Sequence, residues 1–271
     1  MIDLLTPNGL KVKVPETETE DNTPRFNFSN DMENAINYYE KNGYVIFSSL
    51  ISRETCNQLR SLWGEKIKPY KGTIYRQTTA KVENNLFNKR NWIMNPILNI
   101  QSLNPKLFKS FREFVEKEVF SNINICNVLK SILSEKPKIV QSMYFEGNSA
   151  TWEHQDSYYL DSEKIGTMTA GWLALEEIKA DAGRFFICPE SHKIDLGRQN
   201  INNNIADNHD NYIKQVVSII KSKNMTIKAP YMNFGDMLFW NSWTIHGSID
   251  SRSKTFSRSS ITLHAIPESH K

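Results

Sequence analysis

Lys138-Ile-Val-Gln-Ser-Met-Tyr-Phe145 is where the chain changes character. From Pro137 onward apolar residues come in short runs: Thr167-Met-Thr-Ala-Gly-Trp-Leu-Ala-Leu175, Arg184-Phe-Phe-Ile-Cys188, Met237-Leu-Phe-Trp240 and Ser259-Ser-Ile-Thr-Leu-His264. Clusters of Gly, Pro, Asn and Asp separate them, as turns separate strands. Before Pro137 the pattern is mainly helical. A helix is expected from about Asp31 to Lys41, capped by Asn30 or Asp31 and ended by Asn42-Gly43. Tyr44-Val-Ile-Phe47 reads as a short strand. A second helix starts after Ser52 and carries Cys56, Leu59, Leu62 and Trp63 on a core-facing stripe. Residues 106–134 hold two more helical segments, one with Phe108, Phe111 and Phe114, the other with Ile125, Val128, Leu129 and Ile132.

Helices followed by turn-punctuated strands predict an α+β, mainly β chain, with N-terminal helices packed on an antiparallel sandwich or barrel. The 271 residues are expected to form a single domain. Residues 1–30, with an acidic run from Glu16 to Asp21, read as a loop or mobile N-terminal arm. Residues 31–136 form the helical flank and 137–266 the β core. A polar, Asn-rich insertion at 191–226 carries one amphipathic stretch, from Tyr212 to Ile220. It reads either as a lid or substrate-contacting loop or as an inert surface excursion.

Hydrophobic content of 39% with 23% charged residues fits a soluble globular protein, and no apolar run approaches a membrane span. A net charge of +3 gives little reason to expect nucleic acid. The densest basic stretch, Lys66, Lys68 and Lys71, lies at a helix end, where the macrodipole favours it. Three scattered cysteines (Cys56, Cys126, Cys188) and no visible secretory signal fit a reducing, cytoplasmic setting. The expected partners are a small-molecule substrate and, at most, a second copy of the chain, so monomer or homodimer.

The chemistry lies in two places. In Thr151-Trp-Glu-His-Gln-Asp-Ser-Tyr-Tyr159, His154 and Asp156 are two apart and share a face if the segment is extended. Such an H-x-D is weak evidence alone, since a histidine beside a carboxylate is more often a hydrogen-bonded pair. Phe234-Gly-Asp-Met-Leu-Phe-Trp-Asn-Ser-Trp-Thr-Ile-His246-Gly-Ser248 adds a second imidazole, with Gly247 leaving room around it. Two imidazoles and one carboxylate can hold Fe(II) on one face and leave the other open for a co-substrate and O2. Arg258 follows on a strand that can run beside His246. A guanidinium grips a carboxylate through two parallel hydrogen bonds, which a lysine cannot reproduce. The Ser248 hydroxyl can add to that grip, and Ser260, on the face of Arg258, is a weaker candidate. Together these residues point to a 2-oxoglutarate-dependent oxygenase.

At this point the chain resembles the phytanoyl-CoA dioxygenase family of Fe(II)/2-oxoglutarate oxygenases, over roughly residues 137–266. The resemblance rests on His154-Gln-Asp156-Ser-Tyr-Tyr, Gly171-Trp172-Leu-Ala-Leu-Glu, Ala182-Gly183 with Pro189-Glu-Ser-His192-Lys193, and His246-Gly-Ser248 with Arg258-Ser-Ser-Ile. Members commonly have Asn-Gly at Ala182-Gly183 and Pro-Gly-Ser-His at Pro189-Glu-Ser-His192. The resemblance implies a double-stranded β-helix (jelly-roll, cupin-like) core with iron on His154, Asp156 and His246. It implies 2-oxoglutarate on Arg258 and Ser248, in a pocket lined by Trp172 and Met143. It also implies hydroxylation of an unactivated C–H bond with release of succinate and CO2. Related halogenases have a small residue where this chain has Asp156, so halogenation is disfavoured.

Several residues are open. Tyr158 and Tyr159 follow the metal motif, one expected to face the pocket and the other the core. Arg184 would bind an anionic substrate group if it pointed inward and nothing if outward; Arg76 and Gln77 are candidates for the pocket rim. Trp240 and Trp243 read as core packing, His192 as a loop tie, His264 as a core or rim histidine, His209 and His270 as solvent-facing. The polar insertion and the tyrosines favour a small polar or anionic metabolite. The alternatives are a non-catalytic or non-oxidative metal-binding module, or a hydroxylase of an acyl-CoA or protein.

Overall fold

Ile2–Leu5 (β1) and Lys11–Val14 (β2) pair antiparallel as a hairpin, where the sequence reading expected a loop or mobile arm. The hairpin is held by burial: Leu4, Val12 and Val14 pack with Phe186, Ala229 and Ile249. In its turn, Thr6 and Asn8 donate hydrogen bonds to the buried carboxylate of Glu153. The computed structural model describes residues 1–147, 149–194, 196 and 205–271.

The helical flank follows the expected punctuation. Helix α1 spans Met32–Asn42 and ends at Gly43, whose φ of 79° is a left-handed conformation that glycine adopts without a Cβ penalty. Strand β3 is Tyr44–Phe47. Helix α2 spans Arg53–Leu62; the Ser52 hydroxyl accepts from the Thr55 N–H, and a π-helical turn over Trp63–Ile67 continues it. Three short strands interrupt the flank: β4 (Ile74–Tyr75), β5 (Val82–Glu83) and β6 (Ile97–Leu98). Helices α3 (Lys109–Val115) and α4 (Ile123–Leu133) complete it.

The β core adds β7 (Pro137–Phe145), β8 (Thr151–His154), β9 (Thr169–Ala174) and β10 (Phe185–Ile187). After helix α5 (Ile205–Ser222) come β11 (Met237–Asn241), β12 (His246–Ser248) and β13 (Ser260–Pro267). They form two antiparallel sheets, one of six strands in the order β3-β11-β9-β13-β7-β6 and one of three in the order β10-β12-β8. The alternation of strand side chains decides what each face of the large sheet does. Met237, Phe239, Leu173, Tyr144, Ile261, Leu263 and Ala265 pack on the helices. Trp172, Trp240, Met143, Thr262 and His264 point the other way and line a cavity together with residues of the small sheet.

Helix α5 lies within the insertion; residues 195 and 197–204 of that insertion lie outside the described residues. The amphipathic stretch packs Tyr212, Val216 and Ile220 against Leu10, Tyr158, Cys188 and Ile245. The helix is therefore built onto the β core beside the metal-motif segment.

Gly247 sits where the two ligand-bearing strands meet. A Cβ there would stand 2.6 Å from the Thr151 carbonyl oxygen, 2.8 Å from that of Trp152 and 2.6 Å from Phe186. Backbone oxygens cannot swing away as a side chain can. Gly247→Ala should therefore cost about 1–3 kcal/mol of stability, the scale of forced overpacking, and weaken metal binding by displacing β8. Thermal melting and Co(II) titration would check this; an unchanged melting temperature would show that β8 and β12 part without cost.

Candidate active site

His154 and His246 are directly opposite each other in the β8–β12 ladder, so both imidazoles emerge on one face. Their ring centroids are 4.2 Å apart. Each ring is fixed by its own backbone: His154 Nδ1 lies 2.8 Å from the Trp152 carbonyl and His246 Nδ1 lies 2.9 Å from the Thr244 carbonyl. A carbonyl only accepts, so both Nδ1 atoms carry a proton, and each Nε2 is the ring nitrogen left facing the site, where it can serve a metal. The chain stays extended through Gln155 (φ −106°, ψ 135°) and then turns, which brings Asp156 to the same place. Asp156 Oδ1 is 3.4 Å from Nε2 of each histidine. One ligand atom from each of the three buried residues falls within 4.8 Å of the others, a group able to hold a metal ion. Burial pushes the Asp156 carboxyl up, but facing His246, His264 and His154 more than offset this and hold it well below the usual carboxylate range.

Gln155, between the two motif residues, is fully buried and bonded on every side. Its N–H donates to the Tyr212 hydroxyl at 2.8 Å, its Nε2 donates to the Ile194 and Trp243 carbonyls, and its Oε1 accepts from the Leu196 N–H. The insertion thus grips the ligand-bearing backbone from behind. Nothing in the sequence reading singled out Gln155.

A cavity of about 350 Å³ opens in front of the three residues. Arg258 lines it, 3% exposed, with its guanidinium between the rings of Phe145 (5.1 Å) and Trp172 (5.0 Å). Among the described residues no carboxylate pairs with it, and its Nε has no hydrogen-bond partner. Burial lowers the guanidinium, to about 9, because the charge is desolvated without compensation. Ser248, Met143 and Trp172 line the same cavity. Ser260 does not: its hydroxyl donates to the carbonyl of Arg258.

The remaining candidates divide. Tyr159 lines the cavity, while Tyr158 stacks on Tyr212 with centroids 3.7 Å apart in the core, the division the sequence suggested. Arg184 and Arg76 need correction. Arg184 is fully buried on the outer side of β10, donating to the carbonyls of Pro230 and Pro15, with its guanidinium beside the Tyr231 ring. Arg76 is buried against the carbonyls of Asn95 and Glu83 and the Asn85 side chain. Neither lines the cavity; Gln77 does. His209 does not simply face solvent: its Nε2 lies 2.9 Å from the Tyr159 hydroxyl at the rim, where Trp152 also donates. His192 ties its loop to the Glu40 carbonyl, as expected. Trp240, read as core packing, and His264, read as a core or rim histidine, both line the cavity and both approach Asp156.

A jelly-roll with two histidines and a carboxylate converging beside a buried, unpaired arginine has the design of a non-heme iron oxygenase. The sequence profile of the family described as Phytanoyl-CoA dioxygenase (PhyH) matches residues 39–260, and the chain belongs to that family. It is 23% identical over 253 residues to phytanoyl-CoA dioxygenase 1 of Oryza sativa subsp. japonica, covering 85% of this chain and 87% of the rice protein. It is 25% identical over 159 residues to the phytanoyl-CoA dioxygenase domain-containing protein 1 homolog of Caenorhabditis elegans, covering 56% and 54%. Among solved structures, the non-heme alpha ketoglutarate dependent carbocyclase SnoK from nogalamycin biosynthesis superposes with a TM-score of 0.64 at 15% identity, covering 92% and 88%. EctD from S. alaskensis, solved with 2-oxoglutarate and 5-hydroxyectoine, gives 0.61 at 14%, covering 86% and 74%. At such identities these likenesses show the fold, the expected double-stranded β-helix. By family the chain is an Fe/2-oxoglutarate-dependent oxygenase.

Proposed function

We propose that the chain hydroxylates a C–H bond of a small, uncharged metabolite, with iron on His154, Asp156 and His246 and 2-oxoglutarate on Arg258 and Ser248. The observation that carries this reading is the buried guanidinium of Arg258, which has no carboxylate partner among the described residues, in the same cavity as the three convergent ligand atoms. A non-oxidative metal module has no use for an uncompensated buried cation, whereas a dicarboxylate co-substrate supplies the missing charge. The donor set suits iron, since neutral imidazoles and a carboxylate leave coordination positions open. When bound, iron and 2-oxoglutarate supply the oxidising power, with succinate and CO2 as co-products.

The chain's own residues do the rest. The Nδ1–H bonds to backbone carbonyls keep both Nε2 atoms free for metal. Arg258, between Phe145 and Trp172, orients the far carboxylate of the co-substrate and excludes water from it. Phe185 lies flat against both His246 and Trp172, closing one wall.

The proposed substrate is uncharged because of what faces it. Among the described residues lining the cavity, Arg258 is the only lysine or arginine and Asp156 the only carboxylate. With Arg184 and Arg76 turned elsewhere, no second lysine or arginine among the described residues lines the cavity to meet an anionic substrate. Leu98, Phe145, Trp152 and Leu160 alternate with Gln77, Gln141, Thr151 and Thr262, which suits a molecule with both apolar and hydrogen-bonding surface.

The test is 2-oxoglutarate turnover. With Fe(II) and O2 the protein is expected to release succinate slowly without substrate and faster with neutral candidates than with their phosphorylated or carboxylated analogues. Absence of both succinate release and 2-oxoglutarate binding would sink the oxygenase reading.

A further inference from the structure

The two oxygens of Asp156 have different surroundings. Oδ1 faces the Nε2 atoms of His154 and His246. Oδ2 accepts a hydrogen bond from the indole Nε1 of Trp240 at 2.8 Å and lies 3.4 Å from Nε2 of His264. Both neighbours are nearly completely buried, Trp240 at 2% and His264 at 4% exposed. Trp240 is held by Phe185 and His246, with ring centroids at 4.9 and 4.8 Å. His264 has no hydrogen-bond partner at Nδ1. Core packing alone does not require the indole contact: Trp63, Trp172 and Trp243 each have a buried Nε1 with no hydrogen-bond partner among the described residues.

A carboxylate can bind a cation through one oxygen or through both, and the second mode uses an extra coordination position. An indole N–H is donor only, so an oxygen bonded to it is drawn away from a metal. Trp240 and His264 stand on β11 and β13 of the large sheet, whereas His154 and His246 stand on the small one. Asp156 is therefore gripped from both sheets at once. We propose that Trp240 and His264 are positioning residues: they hold Oδ2 so that Asp156 offers a metal Oδ1 alone, which keeps positions open for co-substrate. This rests on reading His154, Asp156 and His246 as a metal site.

The experiment is Co(II) titration of the metal-free protein, with affinity from chelator competition and coordination number from the visible absorption bands. Trp240→Phe removes the donor while keeping an aromatic ring in the core. It should weaken Co(II) binding about 10- to 100-fold, the usual effect of losing an outer hydrogen bond to a ligand, and alter the band intensity. His264→Gln, which keeps a donor, should stay closer to wild type than His264→Ala. Wild-type affinity and spectrum in Trp240→Phe would overturn the proposal while leaving the metal site standing. If wild-type protein itself failed to bind Co(II), the triad reading would fall and the proposal with it. Should Trp240→Phe not fold, 3-benzothienylalanine at position 240 keeps the ring shape and deletes only the N–H; its affinity and spectrum decide by the same criteria.

Discussion

Arg258→Met should abolish measurable 2-oxoglutarate binding while leaving the metal-free protein at least as stable as wild type. The two halves of this result have one cause. In wild type the guanidinium is buried among Phe145, Trp172 and other cavity residues, with no carboxylate paired to it among the described residues, and an uncompensated buried charge is a cost to the folded state. Methionine fills much of the same space without that cost. The co-substrate loses the one lysine or arginine that lines the cavity among the described residues. Truncating one partner of a buried, hydrogen-bonded charge pair costs about 2–5 kcal/mol, which is on the order of 30- to 5000-fold in affinity. Calorimetry with Zn(II)-loaded protein reads the affinity, and thermal melting with and without 2-oxoglutarate reads both effects. Arg258→Lys should recover only part of the binding, because an ammonium cannot make the paired contact. Loss of metal binding along with co-substrate binding would instead make Arg258 a structural residue.

Much of this site was legible because strand periodicity is short. His154 and Asp156 share a face through an extended Gln155, and Gly247 beside His246 marks a close backbone approach. The helix starts and stops at Ser52 and Gly43 were equally visible, since capping chemistry is local. What was not legible depended on which face of a strand looks inward. In β10, Phe185 faces the cavity and Phe186 faces the N-terminal hairpin. Arg184 shares the side of Phe186, and both phenylalanines look alike in sequence. The approach of Trp240 and His264 to Asp156 has no local signal, because Asp156 is distant in the chain and reached only across the two sheets. The hairpin did carry a signal, the Lys11-Val-Lys-Val14 alternation after Asn8-Gly9. Two four-residue strands are too short to stand without the surface formed by Phe186, Ala229 and Ile249.

Asp156→Ala should remove metal binding more completely than any outer-residue change, beyond the ~10- to 100-fold expected for those. It should also destabilise the metal-free protein, and the second effect should depend on pH. The variant loses the anionic ligand atom, leaves Trp240 Nε1 buried without an acceptor, and removes the carboxylate that faces His154, His246 and His264. A hydrogen bond to a charged group contributes about 1.5–3 kcal/mol. The Asp156 carboxyl is held well below its ordinary value in the folded protein. Its stabilisation is therefore fully present above the ordinary carboxylate range and is lost as pH falls through the depressed value. Denaturant melts of the metal-free proteins should show the largest gap between wild type and Asp156→Ala near neutrality, narrowing in acid. A gap that did not change with pH would mean the variant acts through packing alone. Asp156→Asn separates charge from shape. It keeps an oxygen for Trp240, so it should recover part of the stability while remaining poor at binding metal.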